Sequence, residues 1–237
     1  MAGSNRNGKN AWSLARHNLR IIFGGRFVYF LLASLIFFLV VGTITALDNE
    51  YIWLSEIYGL IAFPAILLAF YPSVFGIQSD ADQRTLEIIF GIPNYRYRVW
   101  LLRYLMILVL VFLMLFPFAG LSWYLLVSFP FMAMIGHVMV LVLFTSSMSF
   151  AVSTIVKNGN ATAVIMIIFG LVFLILSDEM DESKWNIFLS PFQESDRVNS
   201  VVFAETLRQN RIILGISSLV FLLLAMLNLQ NREKFLR

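Results

Sequence analysis

The sequence predicts an all-α, polytopic membrane protein: six transmembrane helices, an N-terminal interfacial amphipathic helix before them, and both termini cytoplasmic. Three observations predict it. The 237 residues are 59% hydrophobic and 13% charged, with a mean hydropathy of +0.82, whereas soluble domains are about half apolar and a quarter charged. Several apolar runs exceed eighteen residues, and ~20 helical residues at ~1.5 Å each cross a ~30 Å hydrocarbon core. The alternating ~10-residue segments of a transmembrane β-barrel are not visible.

Residues 1–9 are polar and rich in Gly, Ser and Asn, a composition that predicts a disordered tail. From Asn10 the period becomes helical. Trp12, Ala15, Leu19, Ile22 and Phe23 share one face; Ser13, Arg16, His17 and Arg20 share the other. Such a helix, over 10–25, lies in the interface plane with Trp12 at headgroup depth and Arg16 and Arg20 toward phosphates. Gly24-Gly25 then permits a turn into the transmembrane domain, 26–237. The first apolar run is longer than the ~7–15 residues of a signal-peptide core, so no cleaved signal peptide is expected.

The spans are expected at about 27–47, 57–77, 99–127, 131–156, 161–176 and 212–229. The second carries Pro64 and Pro72 and the third Pro117; proline removes a helix donor and favours a kink. Between spans two and three lies a charged loop, 79–98, and between spans five and six a long polar loop, 177–210. Thirteen of the seventeen Lys and Arg residues fall on the side of the tail, the 79–98 loop with Arg103, the 157–160 turn and the C-terminus. Basic residues mark the cytoplasmic side. A multi-pass protein of the inner (plasma) membrane follows, and its pI near 9.3 reflects topology without any need for nucleic acid.

The sharpest local signal is Ser79–Arg98. Asp80 followed by Gln83 fits a capping box at a helix start. Leu86, Ile89 and Phe90 make an apolar patch, flanked by the charged Asp82, Arg84 and Glu87, and Pro93 marks the end. A short amphipathic helix of this kind docks in a groove on a cytoplasmic partner or lies on the lipid surface as an ordinary loop helix.

Asp82-Gln-Arg-Thr-Leu-Glu-Ile-Ile-Phe-Gly-Ile-Pro93-Asn-Tyr-Arg96 resembles the signature of the type 2 ATP-binding-cassette (ABC) exporter permeases. In that family an acid precedes Gly-Thr-Leu-Glu, then apolar residues, a proline and a basic residue, between the second and third of six spans. Here Arg84 stands where the family has glycine, and the leading acid is Asp rather than Glu. The resemblance implies the permease subunit of an ATP-driven exporter. Residues 80–90 would be its coupling helix, with Asp80, Asp82, Arg84, Thr85, Leu86, Glu87, Ile89 and Phe90 on a separate ABC ATPase subunit. The interfacial helix would lie beside it, and re-entrant helices would fill the loop between spans five and six. Further partners would be a second copy or a similar permease, and the bilayer; ATP and magnesium would sit on the ATPase, with no cofactor on this chain.

The alternative is a non-transporting membrane anchor or assembly factor that tethers a cytoplasmic protein through the same loop. Catalysis on this chain is not expected. It has no cysteine, no Gly-x-x-x-x-Gly-Lys-Ser/Thr loop, no His-Glu-x-x-His and no Gly-x-Ser-x-Gly. The acids at 178–182 lack the glycine turn of a calcium loop and read as a solvated run. His137 has no carboxylate within any span to form a proton relay, so an interhelical hydrogen bond is its expected role. Thr145-Ser-Ser-Met-Ser149, Ser153, Thr154, Gly215 and Ser218 read as a packing or dimer seam, because small polar residues let helices approach closely.

Overall fold

A computed structural model describes residues 27–48, 51–82, 85–91, 94–180, 183–193 and 200–230. The 1–9 tail, the interfacial helix with Trp12, Arg16 and Arg20, and also Gln83, Arg84 and Pro93, lie outside the described residues. Those residues form seven helices and no strand: α1 (Phe27–Asp48), α2 (Leu54–Asp82), the short α3 (Leu86–Gly91), α4 (Arg96–Leu125, whose first turns Arg96–Leu101 are π-helical), α5 (Phe131–Val156), α6 (Gly159–Glu179) and α7 (Ser200–Asn228). All but α3 are long and apolar enough to cross a membrane. The chain is an all-α polytopic membrane protein.

Helices α2 and α5 form the centre. More than half of their apolar windows is buried inside the chain, against 17% for α1 and for α6. The outer helices expose Leu32, Ile36, Ile167, Leu171 and Ile175. In water such a surface would be a liability; in hydrocarbon it is the solvent-facing side. Between α2, α4 and α5 the main core packs Ile61, Ala65, Leu68, Val111, Leu115, Met134, Val138 and Val142.

The serine-rich stretch of α5 is a packing seam within the chain. Ser146, Ser147, Ser149, Ser153 and Thr154 are all buried. Ser153 donates to the Val74 carbonyl at 2.9 Å, and Ser146 Oγ lies 3.1 Å from Tyr104 Oη. Others bond back to their own helix, as Ser149 does to the Thr145 carbonyl at 2.7 Å. Ser218 on α7 is buried and does the same to Leu214 at 2.6 Å. Small side chains satisfied this way let α5 and α7 pack closely without stranding a hydroxyl.

Several boundaries differ from the hydropathy reading. α2 runs on to Asp82, because its polar last turns find partners: Gln78 accepts from the Gly159 amide and Asp80 pairs with Arg103. α4 begins at Arg96. α7 begins at Ser200, twelve residues before the apolar run at Ile212, so much of the expected 177–210 loop is helix. The other described residues of that stretch, 183–193, form a string of turns that buries Asn186, Ile187, Leu189 and Ser190 on the bundle end; no re-entrant helix occurs among them. Asn186 holds it there. Its Oδ1 accepts from Ser177 Oγ and the Phe188 amide, both at 3.0 Å, and its carbonyl accepts from Asn210 Nδ2 at 2.8 Å.

At the other end α5 and α6 are joined by Lys157 and Asn158. Lys157 has φ 61° and its amide donates to the Ser153 carbonyl at 2.9 Å; this left-handed residue closes α5. Asn158 Oδ1 then caps α6 by accepting from the Ala161 amide at 3.0 Å. Glycine suits position 159, because a Cβ there would stand 2.5 Å from the Phe75 ring and 2.6 Å from Gln78 Oε1, and those side chains would have to shift.

Candidate partner-docking site

The charged segment at 79–98 begins inside α2. Asp80 is not the cap of a new helix, as the capping-box pattern suggested. It lies in α2's last turn with its carboxylate turned inward, accepting from Arg103 Nη1 at 2.6 Å and Nη2 at 3.4 Å. Both side chains are buried. The Arg103 guanidinium also lies 5.2 Å from the Trp100 ring centroid, within cation–π range. A cation placed among α2, α4 and the Trp100 ring needs a buried anion, and Asp80 is the residue that meets it.

Thr85 starts the next helix. Its amide and hydroxyl both donate to the Asp80 carbonyl, at 3.0 and 3.1 Å, and its own carbonyl accepts from the Ile89 amide at 2.9 Å. Thr85 therefore joins the end of α2 to the start of α3 across residues 83–84.

α3 is amphipathic, as its spacing predicts, but its apolar face points into its own protein. Leu86, Ile89 and Phe90 are buried against Ile77, Trp100, Tyr104, Phe150, Ala225, Met226 and Leu229. The Phe90 and Tyr95 rings meet edge to face, with centroids 5.0 Å apart at 88°, and the Tyr95 hydroxyl donates to the Leu229 carbonyl at the end of α7. Asn228 Nδ2 donates to the Thr154 carbonyl at 2.6 Å. A second core thus binds α3 to the ends of α2, α4, α5 and α7. Asn94, just before α4, has φ 58°, in the left-handed region that asparagine tolerates.

The surface left for a partner is the opposite face. Ile88 is 71% exposed, and Asp82, Glu87 and Gly91 are exposed beside it, with Asn94, Tyr97 and Arg98 following. Of the residues expected to touch a partner, Asp82 and Glu87 are on this face and Thr85 is half-buried. Asp80, Leu86, Ile89 and Phe90 hold the helix in place from beneath. Ile88 was missed, because an apolar residue within Leu-Glu-Ile-Ile-Phe is assigned to whichever face its neighbours define; its 100° offset from Ile89 was the available signal.

No family model, curated protein or solved structure matches this chain. Among the described residues no group of three His, Cys, Asp or Glu side chains is placed to hold a metal ion.

Proposed function

We propose that this chain is the membrane-spanning permease subunit of an ATP-driven exporter of the ABC type, and that a separate ATPase docks on the exposed face of α3. The observation that carries the reading is the mounting of α3. A six-residue helix is too short to be stable alone, yet this one presents Ile88 and Glu87 outward, next to the exposed Asp82 at the end of α2, while Asp80–Arg103, Thr85 and a buried aromatic core fix its base.

Such a mounting suits a lever. A loop helix floating on lipid would yield when pushed; α3 is joined to the ends of four spanning helices. Movement imposed on Ile88 and Glu87 would pass into α2 and α4 through the ion pair, and into α5 and α7 through Phe90, Tyr95 and Leu229. In a pair of such chains, closure of two ATPases would rock the helices between inward- and outward-open arrangements. The basic residues clustered at this end suit a cytoplasmic position at the inner (plasma) membrane, where ATP is available.

Vesicles containing the chain and its ATPase test the reading. ATP-dependent movement of a solute or lipid that is lost in Glu87→Lys with Ile88→Asp supports it. A docked ATPase with no ATP-dependent movement of any solute or lipid would instead make the chain an anchor.

A further inference from the structure

The end of the bundle opposite α3 holds a second embedded arginine, and its surroundings differ from those of Arg103. Arg211, on α7, donates from Nε to His137 Nδ1 at 3.2 Å and from Nη2 to the Leu189 carbonyl at 2.8 Å. Its guanidinium carbon lies 6.0 Å from the Tyr58 ring centroid. Three helices, α2, α5 and α7, and the 183–193 cap converge on it. The ion pairs among the described residues are Arg103–Asp80 and Arg208–Glu205, so no described carboxylate pairs with Arg211.

Two donors in this cluster lack an acceptor among the described residues: Arg211 Nη1 and the hydroxyl of Tyr58, a residue only 3% exposed. A third follows from the chemistry of the ring. An imidazole accepting at Nδ1 carries its proton on Nε2 and donates there. Arg211 and His137 are half-buried, so the edge of the cluster is open to the outside, although Arg211 Nη1 and the Tyr58 hydroxyl are themselves covered. Ionisable side chains inside membrane helices are costly and mark ligand paths more often than scaffolding, and the planar guanidinium fork matches the two oxygens of a carboxylate or phosphate.

We infer that Arg211, Tyr58 and His137 form an oxyanion site, taking a carboxylate or phosphate group at the end of the bundle remote from α3. The bound oxyanion would supply Arg211 with the charge complement that Asp80 supplies to Arg103. The group comes either from a free oxyanion in the aqueous phase or from an anionic phospholipid headgroup. The inference does not depend on the docking of an ATPase.

The test uses the full-length protein in nanodiscs and reads its apparent Tm, because a ligand that binds the folded state raises it. One arm compares sodium phosphate and sodium acetate with sodium chloride at matched ionic strength in phosphatidylcholine discs. The other replaces part of the phosphatidylcholine with phosphatidylglycerol, in chloride alone. A rise in the first arm identifies a free oxyanion and a rise in the second a headgroup. In either case the increment is expected to vanish in Arg211→Gln, shrink in Tyr58→Phe and persist in Arg208→Gln. An unchanged Tm in every medium would overturn the site and leave Arg211 as a tether for the Leu189 carbonyl. So would an increment that all three variants retain in full. Should Arg211→Gln fail to fold, Tyr58→Phe decides, since it removes only a hydroxyl.

Discussion

Asp80 and Arg103 meet at 2.6 Å inside the protein, and through them the end of α2 is fixed to the start of α4. The pair sits under the only short helix among the described residues. Removing one partner leaves the other as an uncompensated buried charge, which costs about 3–5 kcal/mol. Asp80→Asn and Arg103→Met are each expected to lower the apparent Tm in detergent sharply. The double variant Asp80→Leu with Arg103→Met should recover most of the loss, since an apolar pair of similar volume needs no compensation. Equal losses in single and double variants would show that the pair is not the buried unit described.

The two faces of α3 should separate stability from binding. Phe90→Ala empties a fully packed site and is expected to cost about 3–5 kcal/mol, and Leu86→Ala about 2–5. Glu87→Lys and Ile88→Asp alter an exposed face, where substitutions stay within about 0.5 kcal/mol. These two should leave the Tm unchanged while weakening ATPase binding about tenfold or more, as truncation of an interface anchor does. Unfolding curves beside a pull-down with the ATPase measure both.

Gly159 and Gly170 form a matched pair on α6. A methyl at Gly159 meets the Phe75 ring and Gln78, so Gly159→Ala should cost about 1–3 kcal/mol through overpacking. Gly170 has nothing within 4 Å of an added Cβ, and Gly170→Ala should be neutral or stabilising by up to about 1 kcal/mol. Thermal unfolding of the two variants side by side checks the turn that joins α5 to α6.

Asn186 should behave as a structural hub rather than a surface residue. Asn186→Ala removes the acceptor of Ser177 and of the Phe188 amide in a buried site, at about 1–3 kcal/mol for the polar groups left unmatched. Faster amide exchange confined to 183–193 and the first turns of α7 is the expected signature.

How much of this was written in the sequence depends on the kind of signal. α5 was legible at both ends, because a run free of Asp, Glu, Lys and Arg is bounded by Pro130 and by Lys157-Asn158. The start of α7 was not. Glu205, Arg208, Gln209, Asn210 and Arg211 lower the hydropathy below any span threshold, yet the helix continues because Asn210 and Arg211 find carbonyls in the 183–193 cap. The amphipathic period of α3 was visible, but a period says only that one face is apolar. It does not say whether the cover is a partner or the protein's own Trp100, Tyr104 and Leu229. For the same reason Asp80 looked like a cap: its partner lies 23 residues away, and His137's lies 74 away, beyond the reach of local pattern.

The central claim is that an ATPase rests on the outward face of α3, and a photo-crosslinking residue placed at Ile88 tests it most directly. In membranes from cells carrying the complete system, position 88 should yield an adduct with a nucleotide-binding ATPase, lost in the Glu87→Lys background and absent from a probe at Trp185 on the opposite end. No ATPase adduct at 88, or an equal adduct at 185, would contradict the account.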